Sequence, residues 1–224
     1  MHRLTVACLA AFAACAIAQP IAPLRIADTW PLPPHELRYA GAMPATHRLQ
    51  LDLFTFRDAP WEPQRILQAV REAAAILAQC GVWLERAELT SLEGGEPRLR
   101  DLDTPVSRTL VRRMRPAKPA VFFVRDTRHE PAFDAEAFGR GNTATRPELA
   151  GTVWITAQIR DLPVALAHEL AHVLMDSGAH SDAPGNLMRE ETAPDATRLT
   201  AEQCGQIVAN GSAGGYLRRV KPPG

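Results

Sequence analysis

Residues 163–175 read Pro163-Val164-Ala165-Leu166-Ala167-His168-Glu169-Leu170-Ala171-His172-Val173-Leu174-Met175, and this stretch decides how the chain is read. Pro163 suits the first turn of a helix, and the apolar residues that follow recur at helical spacing to about Asp176. Two histidines four residues apart then lie on one side of the helix, one turn from each other, where both imidazoles can bind one small cation. Glu169 projects about 100° around the helix from His168, close enough to address a water activated at that cation without being a ligand. Imidazole nitrogens suit zinc, and three protein ligands leave a fourth position open. An accidental HExxH is expected in on the order of 1% of chains of this composition. An accident would seldom fall on a credible helix followed by another histidine and a methionine turn.

Downstream, Asp176-Ser177-Gly178-Ala179-His180-Ser181 supplies that third histidine, and Gly178 is placed to take the left-handed conformation that ends the helix. Asp182-Ala183-Pro184-Gly185-Asn186-Leu187-Met188 then reads as a tight turn ending in methionine. Asp182 and Glu191 are rival carboxylate ligands; Glu191 lies between Pro184-Gly185 and Pro194, without the helix that would hold it. The ligand type and the spacing to Met188 favour His180.

Here the chain resembles the metzincin metalloproteases, and most of all their matrixin branch. In those, HExxHxxGxxH is followed by serine and, eight residues after the third histidine, by the methionine of the Met-turn. His168, Glu169, His172, His180, Ser181 and Met188 match this pattern. The spacing departs from it at one place: His180 follows His172 by eight residues, where the family has six. The specific likeness covers about residues 150–190. It implies a zincin-like fold, zinc (Zn2+) held by His168, His172 and His180, Glu169 as general base, and Met188 packed beneath the metal. It also implies hydrolysis of a peptide or protein substrate lying extended along an edge strand, expected within or just before residues 151–156. The alternative function is an exported zinc-binding module without turnover; Glu169 argues against it, because a structural site has no use for a general base.

Outward from this centre the signals are local. Leu49-Gln50-Leu51-Asp52-Leu53-Phe54-Thr55-Phe56 alternates as a half-buried strand. Residues 61–79 form a helix whose apolar face (Ile66, Val70, Ala73, Leu77) stops at Cys80-Gly81. Residues 82–89 read as a strand, residues 91–118 as loop with a short helix near 106–114, and Ala120-Val121-Phe122-Phe123-Val124 as a buried strand. Residues 126–150 are polar and irregular, and Gly151-Thr152-Val153-Trp154-Ile155-Thr156 is a further strand. The expected class is α+β: a mixed, twisted sheet packed by two long helices, the second carrying HExxH, with a small irregular C-terminal part.

The ends carry targeting information. Met1-His2-Arg3, the apolar residues 4–14 and Ala16-Ile17-Ala18 form a secretory signal peptide at 1–18, too short to span a bilayer. A lipidated Cys15 is the rival processing site. A proline-rich N-terminal arm at 19–45 and a catalytic domain at 46–224 complete the expected division. The protein is thus expected to be periplasmic or secreted, with no transmembrane segment in the mature chain, and with the remaining cysteines, Cys80 and Cys204, bridged.

Basic and acidic residues number 25 each, which gives no reason to expect a nucleic-acid partner. The arginines near residues 108–115 read as a solvated face, and His35, His47 and His129 as surface residues.

Overall fold

The computed structural model describes residues 21–139 and 146–220. The expected signal peptide at 1–18 and Cys15 lie outside the described residues. A mixed sheet forms the middle layer, with the strands in the order β1 (Arg25–Pro31), β3 (Val82–Glu93), β2 (His47–Phe56), β5 (Ala120–Val124), β8 (Thr152–Thr156) and β7 (Ala135–Phe138). The four central strands run parallel; β1 and β7 close the two edges antiparallel, and the short β9 (Leu217–Arg219) pairs antiparallel with the start of β2. Parallel neighbours require both faces to be covered, and both are. The two-residue strands β4 (Asp101–Leu102) and β6 (Asp126–Thr127) pair with each other beside the sheet.

One face packs on the helices α1 (Pro63–Leu77) and α3 (Leu162–Met175), with Leu51, Leu53, Val121, Phe123, Val153 and Ile155 pointing into this larger core. Alternate residues of the same strands point the other way, onto α2 (Thr104–Met114) and the segments beside it. There Phe54, Phe122 and Trp154 occupy one register across three strands and stack, with ring centroids 5.0 and 4.3 Å apart. Such cross-strand aromatic pairs fix the register of the parallel strands.

The helix expected over 61–79 runs from Pro63 to Leu77 and tightens into a 3-10 turn at Ala78–Cys80. Gly81 closes it at φ 71°, where a Cβ would come within 2.8 Å of Thr46 Oγ1. The Cys80–Cys204 disulfide is formed, with the two Cα atoms 4.8 Å apart. It joins the end of α1 to α4 (Ala201–Ala213).

Four expectations are corrected. Residues 25–31, read as part of an extended arm, form β1 and hydrogen-bond along β3, so the sheet begins well before residue 46. Residues 126–150 were expected to be irregular but contain the edge strand β7. The C-terminal part, expected to be irregular, contains α4, thirteen residues opened by a capping box in which Thr200 and Gln203 bond each other reciprocally. His47 is buried, its Nδ1 2.9 Å from Thr46 Oγ1, and burial together with nearby Arg219 lowers its pKa. Among the described residues no helix is long and apolar enough to cross a membrane.

Candidate metal centre

Twelve of the fourteen residues of α3 are buried, all but Pro163 and Glu169, so the helix is a core element, not an amphipathic surface one. Its apolar flanks lock into the sheet and against α1, which leaves His168, Glu169 and His172 as the polar groups that face the cleft. The helix does not stop at Gly178. Asp176 takes the left-handed conformation at φ 49°, and the Ser177 N–H donates to the His172 carbonyl at 3.2 Å. An aspartate tolerates this region better than most residues.

Both buried imidazoles are aimed by their Nδ1 atoms. His168 Nδ1 lies 2.7 Å from the Leu187 carbonyl oxygen, and His172 Nδ1 lies 2.7 Å from that of Ser177. A carbonyl only accepts, so each Nδ1 carries the proton and each Nε2 is bare in the neutral ring. Neutrality is favoured by the surroundings. Burial pushes His172 down to about 4, reinforced by His168 beside it, and burial likewise lowers His168.

The Nε2 atoms converge. His172 Nε2 stands 2.9 Å from His168 Nε2 and 3.2 Å from His180 Nε2, and one ligand atom from each of the three lies within 4.8 Å of the others. Lone pairs this close repel unless a cation sits among them. Two imidazoles bound tetrahedrally to one zinc at about 2.0–2.1 Å would place their nitrogens roughly 3.3 Å apart, so the donor set fits such an ion. Asp182 and Glu191 are exposed and stand outside this cluster, which among the described residues consists of the three histidines.

The turn after His180 completes the support. Ser181 N–H donates to the Met188 carbonyl at 2.7 Å, and Leu187 and Met188 are fully buried in the larger core. His180 itself remains exposed.

A cleft of about 370 Å³ opens between α3 and β7, lined by the three histidines, Glu169, Glu136 and Ala137 among others. Burial pushes the Glu169 carboxyl up to about 8, with a further push from the negative charge of Glu136. A cation at the histidines opposes both and draws it back down. Glu136, on the edge strand, is held by His129 Nδ1 at 2.9 Å and Arg146 at 3.5 Å; burial still raises its own pKa. His129, expected at the surface, is thus half-buried and also bonds Thr104 Oγ1 at 2.9 Å.

The edge strand was expected within or just before residues 151–156; β8 there is interior, and β7 borders the cleft. Its signal in the sequence is four residues long and contains two alanines, too short and weak for a periodicity reading.

No protein-family model and no curated protein sequence matches the chain. Among solved structures, the crystal structure of metalloproteinase-II from Bacteroides fragilis is similar, with a TM-score of 0.54 and 17% sequence identity. The match covers 76% of this chain and 55% of that one, so the chain spans about half the length of the structure it resembles. At this identity the likeness is one of fold.

Proposed function

We propose that the chain is an exported, zinc-dependent metalloendopeptidase of the metzincin type, with His168, His172 and His180 as metal ligands and Glu169 as general base. The observation that carries the reading is the convergence of three imidazole nitrogens, two with their Nδ1 protons committed to carbonyls, in a cleft that also holds Glu169. The matrixin-like spacing from His180 to Met188 and the fold likeness to a metalloproteinase support it.

Zinc held by these histidines would supply a Lewis acid for the scissile carbonyl and make water a nucleophile near neutral pH. The chain's own groups do the rest. The carbonyls of Leu187 and Ser177 keep both buried rings in one tautomer and one orientation. Glu169, one position along the helix from His168, takes the proton of the attacking water and returns it to the leaving amine. No covalent intermediate is required.

Substrate binding falls to β7. Asp134 and Phe138 point their carbonyls toward β8, accepting from Thr156 and Gly151. A peptide laid along β7 would run past the cleft that holds Glu169. The disulfide fits a chain exported to an oxidising compartment.

The test is a cleavage-site profile from a mixed peptide library, run with and without a chelator. Cleavage that disappears with the chelator and returns on adding zinc is expected. Equal cleavage in both arms rejects a metallopeptidase, and no cleavage by fully metallated protein points to a binding module without turnover.

A further inference from the structure

Leu187, whose carbonyl orients His168, is gripped from outside the cleft. Its neighbour Asn186 is buried, and its side-chain amide meets that of Gln203 head to tail. Asn186 Nδ2 donates to Gln203 Oε1 at 2.9 Å, and Gln203 Nε2 donates to Asn186 Oδ1 at 3.1 Å. Each amide has a second partner. Asn186 Oδ1 also accepts from the Met188 N–H at 2.9 Å, and Gln203 Oε1 from the Thr200 N–H at 2.8 Å. The bonds to Asn186 and Met188 therefore flank the Leu187 peptide, whose own N–H donates to the Arg198 carbonyl at 2.7 Å.

A capping box explains only part of this. In such a box, Gln203 needs to reach the Thr200 N–H and to have its own N–H accepted by Thr200 Oγ1, here at 3.1 Å. The two bonds to Asn186 are additional. They join the first turn of α4 to the turn that carries Leu187 and Met188. Gln203 is itself a fixed point, because Cys204 beside it is bridged to Cys80, and Gln79 accepts from the Leu199 N–H and donates to the Thr197 carbonyl, both at 2.8 Å. The amide pair is also unambiguous in orientation, since a flipped Asn186 would turn its NH2 toward the Met188 N–H.

We propose that Asn186 and Gln203 are positioning residues of the metal centre: their paired amides hold the Leu187 carbonyl in place and, through it, the ring of His168. The inference rests on the three histidines being a metal site, and not on peptide hydrolysis. Outer partners that orient a ligating histidine typically contribute about 10- to 100-fold in metal affinity.

The experiment measures zinc affinity of the whole chain by chelator competition, with thermal unfolding on the same samples. Gln203→Ala is expected to weaken zinc binding by about tenfold or more, and Asn186→Ala by a similar factor, with the double variant no weaker than the worse single one, because the pair acts as a unit. Thr200→Ala removes the capping hydroxyl and leaves both amide bonds, so it should lower Tm without changing zinc affinity. Gln203→Glu keeps the acceptor for Thr200 and for Asn186 Nδ2 but sets an oxygen against Asn186 Oδ1. It should therefore weaken zinc while α4 persists, and it stands in if Asn186→Ala fails to fold.

The His168 Nδ1–H, followed by NMR, should exchange faster in Gln203→Ala than in Thr200→Ala. Zinc affinity equal in Gln203→Ala and the parent, or lowered to the same degree in Thr200→Ala, overturns the proposal. A parent protein that binds no zinc overturns the metal reading beneath it, and neither result depends on whether peptides are cleaved.

Discussion

His172 and His180, eight residues apart in the chain, bring their Nε2 atoms to within 3.2 Å of each other. The connection between them turns at residues 176–178. Asp176 reverses the chain there, and the Ser177 carbonyl meets His172 Nδ1. This turn thus supplies the hydrogen bond that orients the His172 imidazole. The Ser181–Met188 backbone bond then closes the loop behind His180.

This geometry predicts that purified protein carries one zinc per chain. His180→Ala should lose most of it, whereas Glu191→Ala should keep it. His180 is exposed, so its removal opens no core cavity and folding should persist. Elemental analysis beside a melting curve checks both; equal zinc in the two variants removes His180 from the site.

Much of the centre was legible in the sequence because its spacing is dictated locally. A helix places residues four apart on one side whatever surrounds it, and once the expected signal peptide is set aside Cys80 and Cys204 have one partner choice. What escaped was set by pairing across the chain. β1 is flanked by prolines and alternates poorly, since its register is imposed by β3, with a shift between Ile26 and Asp28. For β7 the decisive partner is β8. Helix α4 buries only Ile207 and Gly211 and contains two glycines, so its apolar signal is faint. Its start was nevertheless written in Thr200-Ala201-Glu202-Gln203, a capping-box signature. The left-handed residue was assigned to Gly178 on general preference, while the structure uses Asp176.

Removing the Cys80–Cys204 bridge should cost stability more than function. The bridge closes a separation of 124 residues, for which lost loop entropy in the unfolded chain amounts to about 5 kcal/mol, with smaller values common in practice. A Cys80→Ala, Cys204→Ala double variant should show that loss in denaturant unfolding while keeping zinc under native conditions. Unchanged stability would mean that the contacts of α4 with α3 and with the turn at Ala78–Cys80 hold the segment without the bridge.

Glu85 gives a stability term with a defined pH sign. Arg48 at 2.8 Å, and then Gln50 at 2.8 Å, hydrogen-bond its carboxylate and hold its pKa below the usual 4.5. The native state therefore binds fewer protons than the unfolded chain in that range. The stabilisation is fully present above about pH 4.5 and is lost as pH falls through the depressed native value. With the pair partly solvated, the contribution should stay below about 1 kcal/mol. Unfolding free energies of the parent and Glu85→Gln should differ by this amount near neutrality and converge in acid; a difference that widens in acid contradicts the assignment.

Glu169→Gln separates catalysis from metal binding. The substitution preserves side-chain size at a partly exposed position and leaves the hydrogen bonds of His168 and His172 to Leu187 and Ser177 untouched, so zinc content and folding should survive. The amide cannot accept the proton of the attacking water. Loss of a general base typically lowers the rate by on the order of 10²- to 10⁴-fold. The variant also removes the carboxyl that burial, and then Glu136, push up to about 8. Zinc is therefore measured on the same samples as cleavage of a broad peptide library. A fully metallated Glu169→Gln protein that cleaves at the parental rate rejects Glu169 as the base, whereas a metallated but inactive one, compared with active parent, assigns it that role.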